Sequence, residues 1–172
     1  MKCIISKSFT FEASHILPRH PGKCSRLHGH SWKLTVSVSG PVQHESGFVV
    51  DYAILGELVK ANVVDRCDHR HLGQGKIDWN GQFGIVNQEP PFGPAFYPSS
   101  ENLVVTFART LGPLVQELGP PDYVLTPAGL MKPHDGSIPE EGSVIIPATI
   151  QLEEVTLEET CTCKATWRRK DA

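Results

Sequence analysis

The placement of the helical patterns constrains the fold of this sequence more than any other feature. Both patterns lie between two pairs of predicted strands. Ahead of them, Lys2–Phe11 is rich in β-forming residues, and Trp32–Ser39 alternates apolar with polar side chains as a half-buried strand does. After them, Asp122–Thr126 and Ala148–Leu157 have the composition of strands. The order of two strands, two helices and two strands predicts an antiparallel α+β subunit rather than alternating βαβ units.

Two helices are predicted between the strand pairs. A short strand over Gly47–Val50 precedes the first helix, which Asp51 can cap, and apolar residues then recur at helical spacing. The second helix begins near Ser99 or Ser100, either of which can cap it. Because proline lacks an amide hydrogen, Gly112-Pro113 is expected to kink this helix or divide it in two. The predicted buried stripe of the second helix is Leu103, Phe107, Leu111, Leu114 and Leu118.

The length of 172 residues suits one domain, and we expect a single domain over residues 1–172. Glycine and proline concentrate around residues 73–98 and 127–147, so both stretches are predicted to be long loop excursions. A four-stranded sheet with helices on one face has two open edges. Pairing of those edges between copies would satisfy their hydrogen bonds, which predicts assembly into a larger β-barrel.

Composition excludes several classes of protein. Hydrophobic residues make up 40% of the chain and the formal net charge is -3. That balance is too apolar for a disordered chain and too acidic for a protein that mainly binds phosphate backbones. No stretch approaches the roughly 20 consecutive apolar residues of a membrane span, and an odd set of five scattered cysteines does not suggest a secreted disulfide framework. The expectation is a cytoplasmic protein without nucleic-acid or membrane partners.

Three histidines carry the clearest chemical signal. In an extended strand, residues i and i+2 point to one side, so the imidazoles of His28 and His30 project together on either side of Gly29. His15 stands at the end of the apolar face of another predicted strand. Three neutral imidazoles with a fourth position left open are typical of a catalytic zinc site. The alternative, that these are surface or hydrogen-bonded histidines, stays open on this spacing.

A thiol and a histidine beside an acid are the next candidates. Cys24 precedes His28 in a polar stretch with two cationic neighbours, which would favour its thiolate, so it is a candidate base or nucleophile. The alternative is an inert thiol. Asp68 and His69 follow the first helix, and a histidine between a thiol and a carboxylate could shuttle protons. A salt bridge at the helix end beside a surface histidine would explain the same two residues.

Acidic residues crowd the last predicted strand, within Gln151–Cys163. A carboxylate buried at the end of that strand could accept two hydrogen bonds from an amidine-like edge, such as that of a pterin or guanine. The residues alone do not select which glutamate would do so. Helix capping explains the Ser99-Ser100-Glu101 segment.

Taken together, these motifs resemble those of the 6-pyruvoyltetrahydropterin synthase and 6-carboxytetrahydropterin synthase family. The most specific of them is the Cys-x-x-x-His-Gly-His run with an upstream histidine. The matching stretches follow the family order and are Phe11-Glu12-Ala13-Ser14-His15, Cys24-Ser25-Arg26-Leu27-His28-Gly29-His30, Gly47-Phe48-Val49-Val50-Asp51-Tyr52, Asp68-His69-Arg70-His71-Leu72, Pro98-Ser99-Ser100-Glu101-Asn102 and Glu159-Thr160-Cys161-Thr162.

The resemblance implies the tunnelling fold (T-fold). In this fold, ββααββ subunits with two helices on one sheet face assemble through their sheet edges into a β-barrel, commonly as a hexamer of two trimers. It also implies active sites at subunit interfaces, so that the thiol and the proton relay can come from different chains.

Roles for particular residues are implied in the same way. The Zn²⁺ ligands would be His15, His28 and His30. The catalytic groups would be the thiol of Cys24 and a proton relay formed by Asp68 and His69. The substrate would be held by Glu159, which anchors the pterin ring, and by Ser99, Ser100 and Glu101.

The implied reaction is the zinc-dependent conversion of 7,8-dihydroneopterin triphosphate to 6-carboxy-5,6,7,8-tetrahydropterin, with release of acetaldehyde and triphosphate. It is a lyase step of queuosine biosynthesis, and the Glu159-Thr160-Cys161-Thr162 ending favours this carboxy-forming branch. One alternative is 6-pyruvoyltetrahydropterin synthase, in which triphosphate is eliminated and the side chain stays. Others are a non-catalytic zinc- and pterin-binding protein, and a zinc hydrolase, which would not need Cys24.

Overall fold

The computed structural model describes residues 2–44, 46–73, 97–118, 123–126, 129–131, 144–146 and 150–172. In chain order its strands are β1 (Lys2–His15), β2 (His28–Pro41), β3 (Arg70–Leu72), β4 (Tyr123–Thr126), β5 (Gly129–Met131), β6 (Val144–Ile146), β7 (Gln151–Glu158) and β8 (Lys164–Arg168). Its helices are α1 (Tyr52–Val59), α2 (Asp65–Cys67) and α3 (Ser100–Gln116). A π-helical turn (Lys60–Val64) joins α1 to α2, and 3-10 turns span Lys23–Ser25 and Arg169–Asp171.

The long antiparallel pair β1–β2 forms the centre of the main sheet. Its register runs without a break from Lys2 opposite Pro41 to His15 opposite His28. Alternation of buried with more exposed side chains over Phe9–His15 and Trp32–Val36 favours this register, because a slip by one residue would turn these apolar side chains to the other face. Both strands are longer than the sequence pattern predicted, and the extension brings His15 and His28 together at one end of the sheet.

The main sheet has the strand order β3-β1-β2-β7-β8. β7 lies antiparallel to β2 with a register shift between Ser37 and Val38, and β8 returns antiparallel to β7. β3 runs parallel to the end of β1, with Ala13 opposite Arg70. The sheet is therefore mixed, because β3 adds one parallel pair to a sheet whose other pairs are antiparallel, as predicted. Neither β3 nor β8 was predicted, because three and five residues are too few to show a period.

A second, three-stranded sheet has the order β5-β4-β6. The predicted strand Asp122–Thr126 corresponds to β4, but β4 pairs within this small sheet and not within the main one. The predicted loop over residues 127–147 contains β5 and β6, so that prediction was wrong where these strands lie. Most of the other predicted loop, residues 73–98, lies outside the described residues.

Local side-chain chemistry fixes where the helices begin. The carboxylate of Asp51 accepts a hydrogen bond from the amide of Ala53 at 2.6 Å, which confirms the predicted cap of α1. Residues 47–50 do not form the predicted strand and consist of irregular chain and a bend. Ser99 caps α3, and this helix runs through Pro113 as one element instead of dividing. A proline near the C-terminal end of a helix removes one hydrogen bond and leaves few turns after it to disrupt.

The helices cover one face of the main sheet and enclose the core. On α3 the buried positions are Leu103, Val104, Phe107, Ala108, Leu111 and Val115, whereas Leu114 and Leu118 of the predicted stripe are only partly buried. Phe11 of β1 stacks on Trp32 of β2 and meets Phe107 edge to face. The buried indole of Trp32 donates a hydrogen bond to the carbonyl of Ala13, which ties the polar end of this cluster to β1. In the described part of the chain we find no helix with the length and apolarity needed to span a membrane.

Candidate metal centre and active site

Three imidazoles converge where β1 ends and β2 begins. His15 is fully buried, and its ring centroid lies 4.5 Å from that of His28 and 5.1 Å from that of His30. The indole of Trp32 packs edge to face against His15 and His30. Antiparallel pairing explains the convergence, because His15 and His28 are cross-strand partners and His30 is two residues further along the same face.

Backbone carbonyls orient two of these rings. Nδ1 of His15 donates to the carbonyl of Pro98 at 2.8 Å, and Nδ1 of His28 donates to the carbonyl of Arg26 at 2.7 Å. With its proton on Nδ1, a neutral imidazole presents a lone pair on Nε2. The Nε2 atoms of His15, His28 and His30 are all buried and form no hydrogen bond. Three inward-facing nitrogen atoms without hydrogen bonds are what a metal site requires before the ion binds.

A carboxylate completes the group. Oε1 of Glu159 lies 3.2 Å from Nε2 of His15 and 3.2 Å from Nε2 of His30. One ligand atom from each of these residues and from His28 lies within 4.8 Å of the others, so the four side chains could hold a metal ion. Imidazole nitrogens with one carboxylate form a donor set that suits zinc. The residues present therefore fit the metal that the sequence motifs imply.

Burial keeps the imidazoles in the form that binds metals. Removal from water lowers the pKa of His15, an effect that the hydrogen bond to Pro98 only partly opposes. Burial is also the main cause that lowers the pKa of His30. Both rings are consequently neutral at pH 7, and neutral imidazole is the ligand form.

The loop between β1 and β2 carries Cys24. Its two ends are the cross-strand pair His15 and His28, and the carbonyl of Cys24 accepts a hydrogen bond from the amide of Leu17 at 2.9 Å. Cys24 lies half-buried in the 3-10 turn Lys23–Ser25. The structure thus places this thiol in the loop that joins two histidines of the group, but not among the four residues that could hold a metal.

Asp68 and His69 lie beside the outer edge of β1. One carboxylate oxygen of Asp68 accepts from the amide of Glu12 at 2.9 Å and lies 3.0 Å from Nδ1 of His69. The hydrogen bond from the Glu12 amide is the main cause that lowers the pKa of Asp68. His69 has a left-handed backbone with φ of 55°, and its amide donates to the carbonyl of Glu12 at 2.6 Å. Its exposed ring lines a cavity of about 400 Å³ that also reaches His30.

The Ser99-Ser100-Glu101 segment directly follows Pro98, whose carbonyl binds His15 of the metal group. Ser99 caps α3 by accepting a hydrogen bond from the amide of Asn102, and Ser100 and Glu101 form the first turn. The carbonyl that orients His15 belongs to Pro98, immediately before this cap. The structure does not bring the three predicted substrate-binding side chains into the metal group among the described residues.

Sequence reasoning missed two features of the site. It assigned Glu159 to the substrate and not to the group of histidines, and it gave no role to the Pro98 carbonyl. No sequence pattern indicates either contact. Pro98 is 83 residues from His15, and every residue type has a backbone carbonyl that could accept the hydrogen bond.

Gly29 allows β1 and β2 to approach where the histidines meet. A Cβ atom at this position would lie 3.2 Å from the carbonyl oxygen of Ala13, and the two strands would have to separate slightly. We expect Gly29→Ala to reduce the free energy of unfolding by about 1–3 kcal/mol, as overpacking does. It should also weaken metal binding about tenfold, because His28 and His30 flank the displaced residue. Denaturant titration and metal competition would measure the two effects.

Gly112→Ala is the matched control for this substitution. A Cβ atom at Gly112 meets nothing within 4 Å, and alanine is favoured over glycine inside a helix by about 1 kcal/mol. This control should leave metal binding unchanged and stability equal or higher. If Gly29→Ala and the unmodified protein had equal denaturation midpoints and metal affinities, the close approach of β1 and β2 at Gly29 would not be needed for stability or metal binding.

Curated relatives match much of this chain. It is 34% identical over 106 residues to the 6-carboxy-5,6,7,8-tetrahydropterin synthase of Haemophilus influenzae, an alignment that covers 58% of this chain and 74% of that protein. It is 42% identical over 73 residues to the protein of the same name from a Synechocystis species, covering 40% of this chain and 57% of the relative. The chain thus spans less than two thirds of the second relative.

Solved structures show the same architecture. The Caenorhabditis elegans 6-pyruvoyl tetrahydropterin synthase superposes with a TM-score of 0.62 at 21% identity, over 98% of this chain and 96% of that one. Fold and site together define a T-fold subunit of the α+β class with a three-histidine and glutamate group that could bind a metal ion. The family model for 6-pyruvoyl tetrahydropterin synthase matches residues 4–123. The chain belongs to this family of tetrahydropterin synthases.

Proposed function

We propose that this chain is a zinc-dependent 6-carboxy-5,6,7,8-tetrahydropterin synthase. It would convert 7,8-dihydroneopterin triphosphate to the 6-carboxy product with release of acetaldehyde and triphosphate. The observation that carries the proposal is the convergence of three buried Nε2 atoms that form no hydrogen bond, beside a loop that contains a thiol. The names of the two curated relatives support the carboxy-forming branch.

The proposed metal ligands are His15, His28 and His30. When bound there, zinc supplies Lewis-acid chemistry that makes the hydroxyl groups of the substrate side chain more acidic. The protein holds two of the rings in the ligand orientation through backbone carbonyls, so little rearrangement is needed on binding.

Proton transfer is assigned to Cys24, Asp68 and His69. The Asp68 carboxylate beside Nδ1 favours the tautomer of His69 that carries its proton there, which leaves Nε2 free to accept a proton from the substrate. The same carboxylate then stabilises the charged imidazolium. Cys24 would take or return the second proton as a thiolate or thiol. Glu159 would bind the amidine-like edge of the pterin ring, and Ser99, Ser100 and Glu101 would contribute to the substrate pocket.

The described chain leaves sheet edges available for assembly. β3 covers Ala13–His15 of β1, and Asp68 and His69 bind the backbone of Glu12. Within the described residues the remainder of that edge has no strand partner, and neither has the outer edge of β8. We propose that the chain is a single domain and that copies of it assemble through these edges into a homo-oligomeric barrel, with a hexamer favoured. Cys24 of one copy and His69 of another would then face the same substrate.

Product analysis tests the reaction. The purified protein, loaded with zinc and given 7,8-dihydroneopterin triphosphate, is expected to release acetaldehyde and triphosphate in equal amounts, together with a 6-carboxy pterin identified by mass spectrometry. Triphosphate without acetaldehyde would instead support 6-pyruvoyltetrahydropterin synthase, the activity for which the matching family model is named. Binding of the substrate without either product would contradict both enzymatic assignments.

A further inference from the structure

Glu159 differs from the other acidic residues of β7 and the turn that follows it. Each of the other three carboxylates pairs with a lysine or arginine: Glu153 with Arg169 and Lys2, Glu154 with Arg168, and Glu158 with Lys33. Among the described residues, Glu159 pairs only with the imidazoles of His15 and His30. An anionic side chain that is only 20% exposed requires a compensating positive charge.

The two imidazoles do not supply that charge through hydrogen bonds. Nε2 of His15 and Nε2 of His30 form none, although Oε1 of Glu159 lies 3.2 Å from each. In His15 the hydrogen bond to Pro98 places the ring proton on Nδ1, so a lone pair on Nε2 faces the carboxylate. Two lone pairs facing each other repel unless a cation lies between them.

The spacing of Glu159 from His15 and His30 matches a shared cation. Zinc binds nitrogen at about 2.0–2.1 Å and carboxylate oxygen at about 2.0–2.2 Å in tetrahedral geometry, which places neighbouring ligand atoms roughly 3.3–3.5 Å apart. The two contacts of Glu159 are close to this value. Both use the same oxygen, Oε1, as a ligand occupying one vertex of a tetrahedron would.

From this geometry we infer that Glu159 is the fourth ligand of the metal centre when no substrate is bound, and that recognition of the pterin ring withdraws it. The inference rests on the proposed function for the identity of the ring. One carboxylate would hold the metal centre closed in the resting protein and open it only when a pterin binds. Recognition of the ring at one end of the site would thereby be coupled to access to the metal at the other.

Hydrogen bonds hold the backbone of the turn that carries Glu159. The amide of Glu159 donates to the carbonyl of Cys163 at 3.0 Å, and the hydroxyl of Thr160 accepts from the amide of Cys163 at 3.1 Å. These contacts hold the turn between β7 and β8. The proposed exchange is therefore a rotation of the Glu159 side chain, with the turn held in place.

Cobalt substitution provides a test that does not depend on activity. We would load the unmodified protein, Glu159→Gln and Glu158→Gln with Co²⁺, and measure both the affinity and the visible absorption spectrum, which reports coordination. Glu159→Gln should bind Co²⁺ about 10- to 100-fold more weakly and give a changed spectrum. Glu158→Gln removes a carboxylate that pairs with Lys33 and should behave as the unmodified protein does.

Addition of pterin tests the coupling in the unmodified protein and needs no variant. Pterin without a side chain at carbon 6, added to saturation, should shift the cobalt spectrum towards that of Glu159→Gln and leave the spectrum of Glu159→Gln unchanged. Equal Co²⁺ affinity and an unaltered spectrum in Glu159→Gln would overturn the inference. Pterin that fails to bind, or that binds without a spectral change, would overturn the coupling. These cobalt experiments test only the role of Glu159. The proposed reaction is tested separately, by the analysis of products.

Discussion

Replacing Cys24 with alanine is expected to lower kcat by about 100- to 10,000-fold while the protein retains its full complement of zinc. A positioned acid or base contributes that range in most enzymes, and Cys24 is proposed to transfer a proton to or from the substrate. The thiol is not among the residues that could hold the metal, so its removal should leave metal content unchanged. Steady-state turnover and metal analysis on the same preparation would measure both quantities.

Cys3→Ala is the matched control for this variant. Cys3 is an exposed thiol at the far end of β1 from His15, and its removal should leave turnover unchanged. Cys67 is a poorer control because burial raises the pKa of its thiol to about 12, and its loss would leave a cavity in the core. Activity within a few-fold of normal in Cys24→Ala would contradict the proton-transfer role and favour a zinc hydrolase.

His28→Ala is expected to weaken zinc binding by about 100- to 1,000-fold. Protein zinc sites bind with roughly 10–16 kcal/mol, so one ligand of four accounts for about 2.5–4 kcal/mol. His28 is only partly buried, and its side chain is bonded to a loop carbonyl outside the core, so the variant should still fold. Competition with a chromophoric chelator would give the affinity, and circular dichroism would report the fold.

An exposed histidine elsewhere controls for the loss of an imidazole. His44 lies in the turn after β2, away from the metal group, and His44→Ala should bind zinc as the unmodified protein does. Retention of full zinc affinity by His28→Ala would show that the three histidines do not form the metal site. The proposed zinc-dependent reaction would then lose its basis.

The sequence alone predicted the strands and helices that depend on residues close together in the chain. The Trp32–Ser39 alternation predicted the centre of β2, and Asp51 and Ser99 marked the first residues of the helices because a cap acts within three residues of itself. The helical spacing of Leu103, Phe107 and Leu111 identified the buried face of α3. Each of these features depends on neighbours along the chain, and single-chain patterns report such neighbours directly.

Other parts of the fold depend on partners that are distant in sequence. The parallel pairing of β3 with β1 joins segments more than 50 residues apart, and three residues carry no periodicity that could indicate it. The sequence likewise could not predict that β4 belongs to a separate sheet, because the pattern of a strand does not indicate its pairing partner. Pro113 was expected to disrupt α3, but its position near the end of the helix makes the loss of one hydrogen bond tolerable.

For the candidate site the division is similar. The His28-Gly29-His30 spacing determined that two imidazoles share one face, because side chains alternate along any extended strand. Only the tertiary structure placed His15 opposite His28, set its tautomer through the Pro98 carbonyl and brought Glu159 to the same three nitrogens. Those contacts arise from strand register and from the meeting of segments that are distant in sequence. Such features are decided by the packing of the whole subunit, and no local sequence pattern encodes them.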